Sequence, residues 1–277
     1  MNMRPVLFLS LVAFAAVPAL AHAQLVAARQ APVAYGHHHV SATDIAAHKR
    51  FWADTLGGTS IKVGTSTAEI VRFPNVLVFL ADRDSTGGTK GTTVNHVGFR
   101  VPDIGAAVDR ARAAGYPIVT EAEAPANVTV KDGIGYGGTN TRIAYVMGPD
   151  DTKVEFVEEK AMIGPIALHH IHFAAPDALA MRDWYVKTFN ATAMPSGATF
   201  EIAELPGVRL SFTPTKEPVV GTQGRAMDHI GFEVENLEAF CKELEAAGIT
   251  FDRPFTQVPA LGISIAFFTD PWGTYIE

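Results

Sequence analysis

The sequence is short of cysteine, of basic clusters and of long hydrophobic runs, and each shortage excludes a class of protein. Cys241 is its one cysteine, so no disulfide forms within the chain. Beyond the N-terminal segment, no stretch approaches the roughly 20 apolar residues that a transmembrane helix needs. The net charge is −7 with no opposing block of lysine and arginine, which argues against nucleic acid and against an anionic membrane surface as partners. A small molecule is the expected partner.

The first 23 residues have the layout of a secretory signal peptide. Arg4 supplies a positive charge before an apolar run from Val6 to Leu20, and the small-residue motif Ala21-His22-Ala23 precedes a cleavage site before Gln24. The residue directly after that site is Gln24 and not cysteine, so a lipoprotein anchor is not expected. The sequence therefore predicts removal of residues 1–23 and a periplasmic or extracellular protein.

The rest of the chain is an internal duplication. His37 and His96 lie 59 residues apart, and so do His170 and His229. The runs around the second histidine of each pair also repeat: Asn95-His96-Val97-Gly98-Phe99 and Asp228-His229-Ile230-Gly231-Phe232. A repeat of this kind indicates tandem units, which we place at residues 33–160 and 166–277, joined by a short linker at 161–165. The first copy also has a Gly-rich insertion at 132–138, read as a surface hairpin or as a lid over a site.

Each copy reads as two βαβββ halves, because a short strand that begins with histidine is followed by a capped helix and then by short apolar runs between turns. The helix N-cap candidates are Asp44, Asp103, Asp177 and Asn236, and the helices are expected to end at Gly57, Gly115 and Gly248. Cys241 is expected on the buried face of the last helix. The predicted fold class is α+β.

Strand alternation separates the histidines from the apolar residues of the same strands. In the strand after residue 95, Val97 and Phe99 share one face and His96 shares the other with Arg100. The opening strands repeat this pattern, with two histidines on one face of each: His37 and His39, then His170 and His172. A concave sheet with an apolar back and a polar, ligand-bearing interior satisfies both faces.

Each copy also has a glutamate in a late strand that follows a turn, Glu155 in the first and Glu277 in the second. Two histidines and one carboxylate form a ligand set that holds Fe(II), Mn(II) or Zn(II) and leaves positions open for substrate or oxygen. The predicted metal ligands are His37, His96 and Glu155 in one set, and His170, His229 and Glu277 in the other.

These motifs resemble the vicinal oxygen chelate superfamily, which includes glyoxalase I, bleomycin-resistance proteins and extradiol dioxygenases. The resemblance covers nearly all of the chain after the signal peptide. It is carried by His170-Ile171-His172-Phe173, by the two repeated histidine runs, and by Asp270-Pro271-Trp272-Gly273 leading to Glu277. The resemblance implies tandem paired βαβββ modules, each pair forming a cup-shaped mixed sheet around a divalent metal ion with helices on the outside.

Two departures from the family narrow the expected activity. The strands at 77–80 and 209–212 offer no carboxylate as the fourth ligand that is usual in glyoxalase I. Neither copy has the histidine that extradiol dioxygenases usually carry before their ligand glutamate. The thiol transfer of fosfomycin-resistance proteins is compatible with three metal ligands. It does not suit an exported protein, because such antibiotics act in the cytosol.

Five further residues are candidates for catalysis. His39 and His172 lie two residues beyond the first ligands on the same strand face, where each is a general base, a group that supports the metal site, or a packing residue. Arg100 and Glu233 occupy equivalent inward positions with opposite charge, either for substrate or for ion pairs within the fold. Tyr145 is either a hydrogen-bond donor to substrate or a core residue.

Three functions remain open at this point. The first is an exported metal-dependent enzyme acting on a small substrate with neighbouring oxygens, through lyase, isomerase or dioxygenase chemistry. The second is a protein of the bleomycin-resistance type that sequesters a small molecule without turnover. The third is a duplicate with a purely structural or partner-binding role, which predicts no metal.

Overall fold

A computed structural model of the chain describes residues 32–62, 67–197, 199–259 and 262–277. The predicted signal peptide at residues 1–23 lies outside these residues. In chain order the strands are β1 (Val33–Ala42), β2 (Thr59–Ile61), β3 (Glu69–Phe73), β4 (Val76–Asp82), β5 (Val94–Val101), β6 (Thr129–Lys131), β7 (Ile134–Tyr136), β8 (Arg142–Met147), β9 (Lys153–Glu158), β10 (Ala167–Ala175), β11 (Thr192–Met194), β12 (Glu201–Leu205), β13 (Val208–Pro214), β14 (Met227–Val234), β15 (Phe251–Val258), β16 (Ile263–Thr269) and β17 (Tyr275–Ile276). The helices are α1 (Ile45–Lys49), which continues as a π-helix over Arg50–Thr55, α2 (Ile104–Ala113), α3 (Thr120–Glu123), α4 (Ala178–Phe189) and α5 (Leu237–Ala246).

This order confirms the α+β class and the βαβββ reading of three halves, while the second half of the first copy has an additional short helix, α3, and a fourth strand after the helices. The strands form two mixed sheets. Sheet 1 has the order β15-β16-β17-β14-β1-β4-β3-β2, and sheet 2 has the order β11-β12-β13-β10-β5-β9-β8-β7-β6.

Each sheet is built from both copies. In sheet 1 the opening strand β1 of the first copy pairs antiparallel with β14 of the second. In sheet 2 the opening strand β10 of the second copy pairs antiparallel with β5 of the first. The first and last quarters of the chain therefore make one sheet, and the two middle quarters make the other.

The apolar strand faces and the helices share a core between the two sheets. Trp52 contacts Phe73 of sheet 1 and Phe99 of sheet 2, with ring centroids 6.4 and 6.1 Å away. On α4, Phe189 stacks on Phe232 of sheet 1 at 4.2 Å, while Tyr185 of the same helix contacts sheet 2. These large buried rings fix both sheets against the same helices.

The predicted helix caps are confirmed. The side chains of Asp44, Asp103, Asp177 and Asn236 each accept a hydrogen bond from the backbone N–H three residues later. Glycines with positive φ follow the ends of the π-helix, α2 and α5. Cys241 lies buried on α5, as predicted.

The Gly-rich insertion of the first copy is a hairpin. Strands β6 and β7 pair antiparallel across a turn at Asp132 and Gly133, both of which have positive φ. The hairpin extends the edge of sheet 2 through β8, which favours the surface-hairpin interpretation. Among the described residues, no helix has the length and hydrophobicity to cross a membrane.

A buried carboxylate organises the turn before β17. The Asp270 carboxylate accepts hydrogen bonds from the Tyr185 hydroxyl at 2.9 Å and from the backbone N–H groups of Trp272 and Thr274 at 2.9 and 2.7 Å. Burial raises the pKa of Asp270, and the hydrogen bonds oppose that rise. The turn sets the path of the chain towards Glu277.

We expect Asp270→Ala to lower the free energy of unfolding, because it leaves the Tyr185 hydroxyl and two backbone donors without partners. Each buried unpaired group costs about 1–3 kcal/mol, so urea denaturation should show a loss of at least about 2 kcal/mol. The matched control is Tyr136→Phe, which removes a hydroxyl from a side chain that is 40% exposed and should change little. An Asp270→Ala variant as stable as the wild type would contradict this role.

Candidate metal centres

The sheet faces that bear histidine hold two groups of side chains with the same composition. Cluster 1 consists of His37, His39, His229 and Glu277, and cluster 2 consists of His96, Glu155, His170 and His172. Within each cluster, one ligand atom from every member lies within 4.8 Å of the others.

Three donor atoms of cluster 2 form a compact triangle. The Glu155 Oε2 atom lies 2.9 Å from His96 Nε2 and 3.1 Å from His170 Nε2, and the two nitrogens are 3.4 Å apart. For metal–ligand bonds of about 2.1 Å, adjacent ligands are separated by about 3.0 Å in an octahedron and about 3.4 Å in a tetrahedron. The triangle fits one face of the coordination sphere of a divalent ion.

Cluster 1 repeats this arrangement at the other sheet. The Glu277 Oε2 atom lies 3.0 Å from His37 Nε2 and 3.1 Å from His229 Nε2. Its donors are more open to solvent than those of cluster 2: the Glu277 side chain is 18% exposed, against 7% for Glu155. Both clusters offer one carboxylate and several imidazole nitrogens, which suits Fe(II), Mn(II) or Zn(II).

The prediction that each ligand set belongs to one copy is wrong. The structure exchanges the first histidine between the two sets: His37 joins His229 and Glu277, and His170 joins His96 and Glu155. The cause is the pairing of β1 with β14 and of β10 with β5. Spacing and strand alternation correctly predicted the six residues that come together, but not their partners.

A glycine makes room for the first histidine of each cluster. Gly98 lies directly opposite His170, and Gly231 directly opposite His37, in the antiparallel pairs. A Cβ atom at Gly98 would lie 2.1 Å from the His170 ring, and one at Gly231 would lie 1.9 Å from the His37 ring. The glycine two residues after the second histidine is repeated in both copies and is part of the site. The sequence alone did not predict this role.

A polar residue orients the second histidine of each cluster. His96 Nδ1 lies 2.9 Å from the Asn95 side-chain oxygen, and His229 Nδ1 lies 2.6 Å from an Asp228 carboxylate oxygen. Since both oxygens are acceptors, each Nδ1–H donates and the Nε2 atom is presented to the cluster. Asn95 and Asp228 stand in the repeated runs, but the sequence analysis gave them no role.

We expect Asp228→Asn to weaken metal binding at cluster 1 by about 10-fold, because a carboxylate acceptor makes the imidazole a stronger ligand than an amide does. The reciprocal change, Asn95→Asp, should strengthen binding at cluster 2. Competition with a chromophoric chelator measures both affinities. Because Asp228 also pairs with Arg83 at 3.0 Å, thermal unfolding checks that weakening this ion pair in Asp228→Asn has not disturbed the fold. Unchanged affinity in both variants would contradict the role.

The charges of the two clusters follow from these contacts. Burial opposes ionisation of Glu155, but its close contacts with His170 and His96 outweigh it and hold its pKa well below the usual range. Burial lowers the pKa of His96 to about 4. Burial acts in the same direction on His229, but its hydrogen bonds to Asp228 and Glu277 raise its pKa. Ionised glutamates beside imidazoles match the state in which these groups bind metal.

His39 and His172 lie inside the clusters, as their strand positions predicted. His39 faces His229, and His172 faces His96, each with ring centroids 4.4 Å apart. Burial, and then His229, lowers the pKa of His39 to about 3. Both therefore contact the predicted ligands directly.

The other three catalytic candidates lie around the clusters. Tyr145 packs edge-on against His96 at 5.3 Å, and burial, with the nearby Glu155 carboxylate, raises its pKa. Arg100 pairs with Glu159 at 3.3 Å, so an ion pair within the fold accounts for it. Glu233 is half-buried beside His37, and burial raises its pKa.

Residues near the two clusters differ in character. Around cluster 2, Lys153 is buried, pairs with Glu123 at 2.9 Å and lies 5.4 Å from the Tyr145 ring centroid. Around cluster 1 the equivalent positions are Tyr275 and Phe267, which stack on each other and meet the His229 ring edge-on. Lys153 was not among the predicted site residues, although it stands two residues before Glu155 on the same strand face.

Three more histidines lie outside the clusters. His38 is buried on the opposite face of β1, where it hydrogen-bonds the Tyr35 hydroxyl. His48 lies 2.9 Å from the Asp150 carboxylate and ties the first helix to the turn before β9. His169 Nδ1 lies 2.8 Å from His170 Nδ1. Among the described residues, none of these three belongs to a group of histidine and carboxylate side chains that could hold a metal ion.

Comparisons with known proteins agree with this architecture. The family model for the Glyoxalase/Bleomycin resistance protein/Dioxygenase superfamily matches residues 34–156 and 127–277. No curated protein matches the chain. Glyoxalase I from Zea mays is similar in structure, with a TM-score of 0.69 at 16% identity over 88% of this chain and 91% of that one. A putative dioxygenase from Bacillus subtilis has a TM-score of 0.62 at 13% identity over 88% of this chain and 83% of that one.

At such low identity the similar structures establish the fold alone. The family model matches both halves of the chain and extends across both clusters. The chain belongs to the glyoxalase/bleomycin resistance protein/dioxygenase superfamily, also called the vicinal oxygen chelate superfamily.

Proposed function

We propose that this chain is an exported, metal-dependent enzyme that acts on a small substrate with two neighbouring oxygens. The observation that carries the proposal is the triangle of two imidazole nitrogens and one carboxylate oxygen in cluster 2, with its edges of 2.9, 3.1 and 3.4 Å. A divalent ion bound there supplies a Lewis acid that polarises both oxygens of a chelating substrate.

The residues around cluster 2 suit it for catalysis. Glu155 is buried and ionised, so it supplies the negative charge that a divalent ion needs. Lys153 and Tyr145 lie beside it and offer hydrogen-bond donors to a developing negative charge on the substrate. Ser211 lies beside His172 on the neighbouring strand β13. It offers a small hydroxyl group at the position where cluster 1 has Phe79.

The residues around cluster 1 suit an apolar or aromatic ligand. Phe79 stacks on His39 at 5.6 Å, and Phe267 and Tyr275 cover His229 from the other side. This aromatic lining favours, as a second candidate function, capture of a drug-like molecule without turnover. The two functions are separable, since sequestration does not require metal.

Export is also part of the proposal and rests on the sequence of residues 1–23. N-terminal sequencing of protein from the periplasm or culture medium should begin at Gln24. Protein that stays in the cytoplasm with an intact N-terminus would overturn this part alone.

Metal analysis tests the enzymatic proposal first. The protein is purified without a histidine tag, and Fe, Mn, Zn, Ni and Cu are measured per chain for the wild type, for His96→Ala and for His229→Ala. Near-stoichiometric metal, reduced in each variant, is expected, while the control His48→Gln, outside both clusters, should keep the wild-type content. A wild type that takes up no metal even on anaerobic reconstitution would overturn the enzyme and favour sequestration.

A further inference from the structure

Each cluster contains a third histidine that comes from the opening strand. His39 follows His37 by two residues and lies directly opposite His229 in the pairing of β1 with β14. His172 follows His170 in the same way and lies directly opposite His96 in the pairing of β10 with β5. One ring nitrogen of each falls within the 4.8 Å limit that contains the other three donor atoms.

The strand on the other side offers no competing ligand. In the parallel pairing of β1 with β4, His39 lies beside Phe79. In the pairing of β10 with β13, His172 lies beside Ser211. A phenylalanine has no donor atom and a serine hydroxyl is a weak ligand beside imidazole and carboxylate. The third histidine is therefore the strongest remaining donor at each cluster.

Neighbouring side chains hold both rings in place. His172 Nε2 lies 2.7 Å from the Thr213 hydroxyl oxygen, and when that nitrogen donates, Nδ1 keeps its lone pair for the cluster. The His39 ring stacks on Phe79 with an interplanar angle of 25°. A ring fixed by a hydrogen bond or by stacking is typical of a ligand, since a fixed orientation lowers the entropy lost on binding.

We propose that His39 and His172 are metal ligands, so that each cluster is a site of three histidines and one glutamate. The proposal rests on the proposed function, because it presumes that the clusters bind metal. It replaces the expectation that these two residues are general bases. In glyoxalase I the fourth protein ligand usually comes from the strand equivalent to β4 or β13, whereas here it comes from the opening strand, β1 or β10.

The number of ligands limits the chemistry. Three protein donors would leave room on a divalent ion for a chelating substrate and for a further small molecule such as dioxygen. A fourth protein donor would take part of that room and leave enough for a substrate that chelates through two oxygens. The substrate class is therefore a two-oxygen chelator that undergoes redox-neutral chemistry, and oxygen insertion is disfavoured.

The test counts coordinated imidazoles at one cluster at a time. His37→Ala combined with Glu277→Ala disables cluster 1, and the full chain with these two changes is loaded with cobalt(II) alone. X-ray absorption at the cobalt edge distinguishes three coordinated imidazoles from two. We expect three in this parent, two after His172→Phe, and an affinity for cobalt lowered by at least about 10-fold, since even residues that only support a metal ligand change affinity by 10- to 100-fold.

Controls separate loss of a ligand from loss of structure. His169→Ala removes a histidine that touches His170 but lies outside the donor set, so the count should stay at three. The count in the parent tests the proposal without any change at position 172, even if His172→Phe fails to fold. The reciprocal parent, His170→Ala combined with Glu155→Ala, repeats the test at cluster 1 with His39→Phe.

The outcomes distinguish this inference from the function on which it rests. A parent that binds no cobalt at either cluster overturns the proposed function and this inference with it. A parent that binds cobalt through two imidazoles, with no change after His172→Phe, overturns the inference and leaves the metal-dependent function standing. Three imidazoles falling to two supports both.

Discussion

Replacement of Gly231 by alanine is expected to lower the metal affinity of cluster 1 by at least about 10-fold while cluster 2 keeps its ion. A Cβ atom at this position would lie 1.9 Å from His37 Cε1 and 2.3 Å from both ring nitrogens. Carbon atoms do not approach so closely, so the ring must leave its place opposite Gly231. Since His37 lies 3.0 Å from Glu277, a displaced ring removes one corner of the donor triangle.

Metal content per chain and chelator competition measure the effect, and the same substitution at Gly98 should act on cluster 2 through His170. The matched control is Gly105→Ala on α2, where an added Cβ meets only an Asp103 oxygen at 3.3 Å. Alanine favours a helix over glycine by roughly 0.5–1 kcal/mol, so this control should bind metal normally. Gly231→Ala with wild-type affinity at both clusters would contradict the geometry.

Local patterns in the sequence predicted most of the architecture because they depend on neighbouring residues. Alternation along β5 placed His96 opposite in direction to Val97 and Phe99, and these two are buried in the shared core. The caps at Asp44 and Asp103 followed from side chains that reach backbone groups only three residues away. These features need no knowledge of which strands pair.

The partners within each cluster could not be read from the same patterns. Equal spacing in the two copies allows His96 to meet either His37 or His170, and both choices put the histidines on the same sheet face. Strand pairing between distant segments decides the matter, and it is a global property of the chain.

The linker carried a signal for this pairing. Strand β9 ends at Glu158 and β10 begins at Ala167, so a short connection joins them. Both strands flank β5, which places them two strand spacings, or about 10 Å, apart in one sheet. A short connection favours nearby strands, so β10 is held in the sheet of the first copy and His170 is brought to His96.

Other parts of the site depend on contacts that a single sequence does not display. Gly98 and Gly231 were visible in the repeated runs, but their role appears only when the ring across the strand pair is known. Lys153 near cluster 2 and Tyr275 near cluster 1 occupy equivalent positions, but the sequence alone did not show that these two residues correspond. Once the sheets are assembled, these positions show that the clusters share donors but differ in surroundings.

The metal content of paired variants tests most directly the claim that each site is built across the two copies. His37→Ala combined with His229→Ala removes two donors from cluster 1 alone, so the chain should keep the ion of cluster 2. His37→Ala combined with His96→Ala removes one donor from each cluster, so both clusters should lose at least about 10-fold in affinity and neither should match the wild type. The reverse pattern, with metal retained by the His37→Ala and His96→Ala pair and lost by the His37→Ala and His229→Ala pair, would contradict the account.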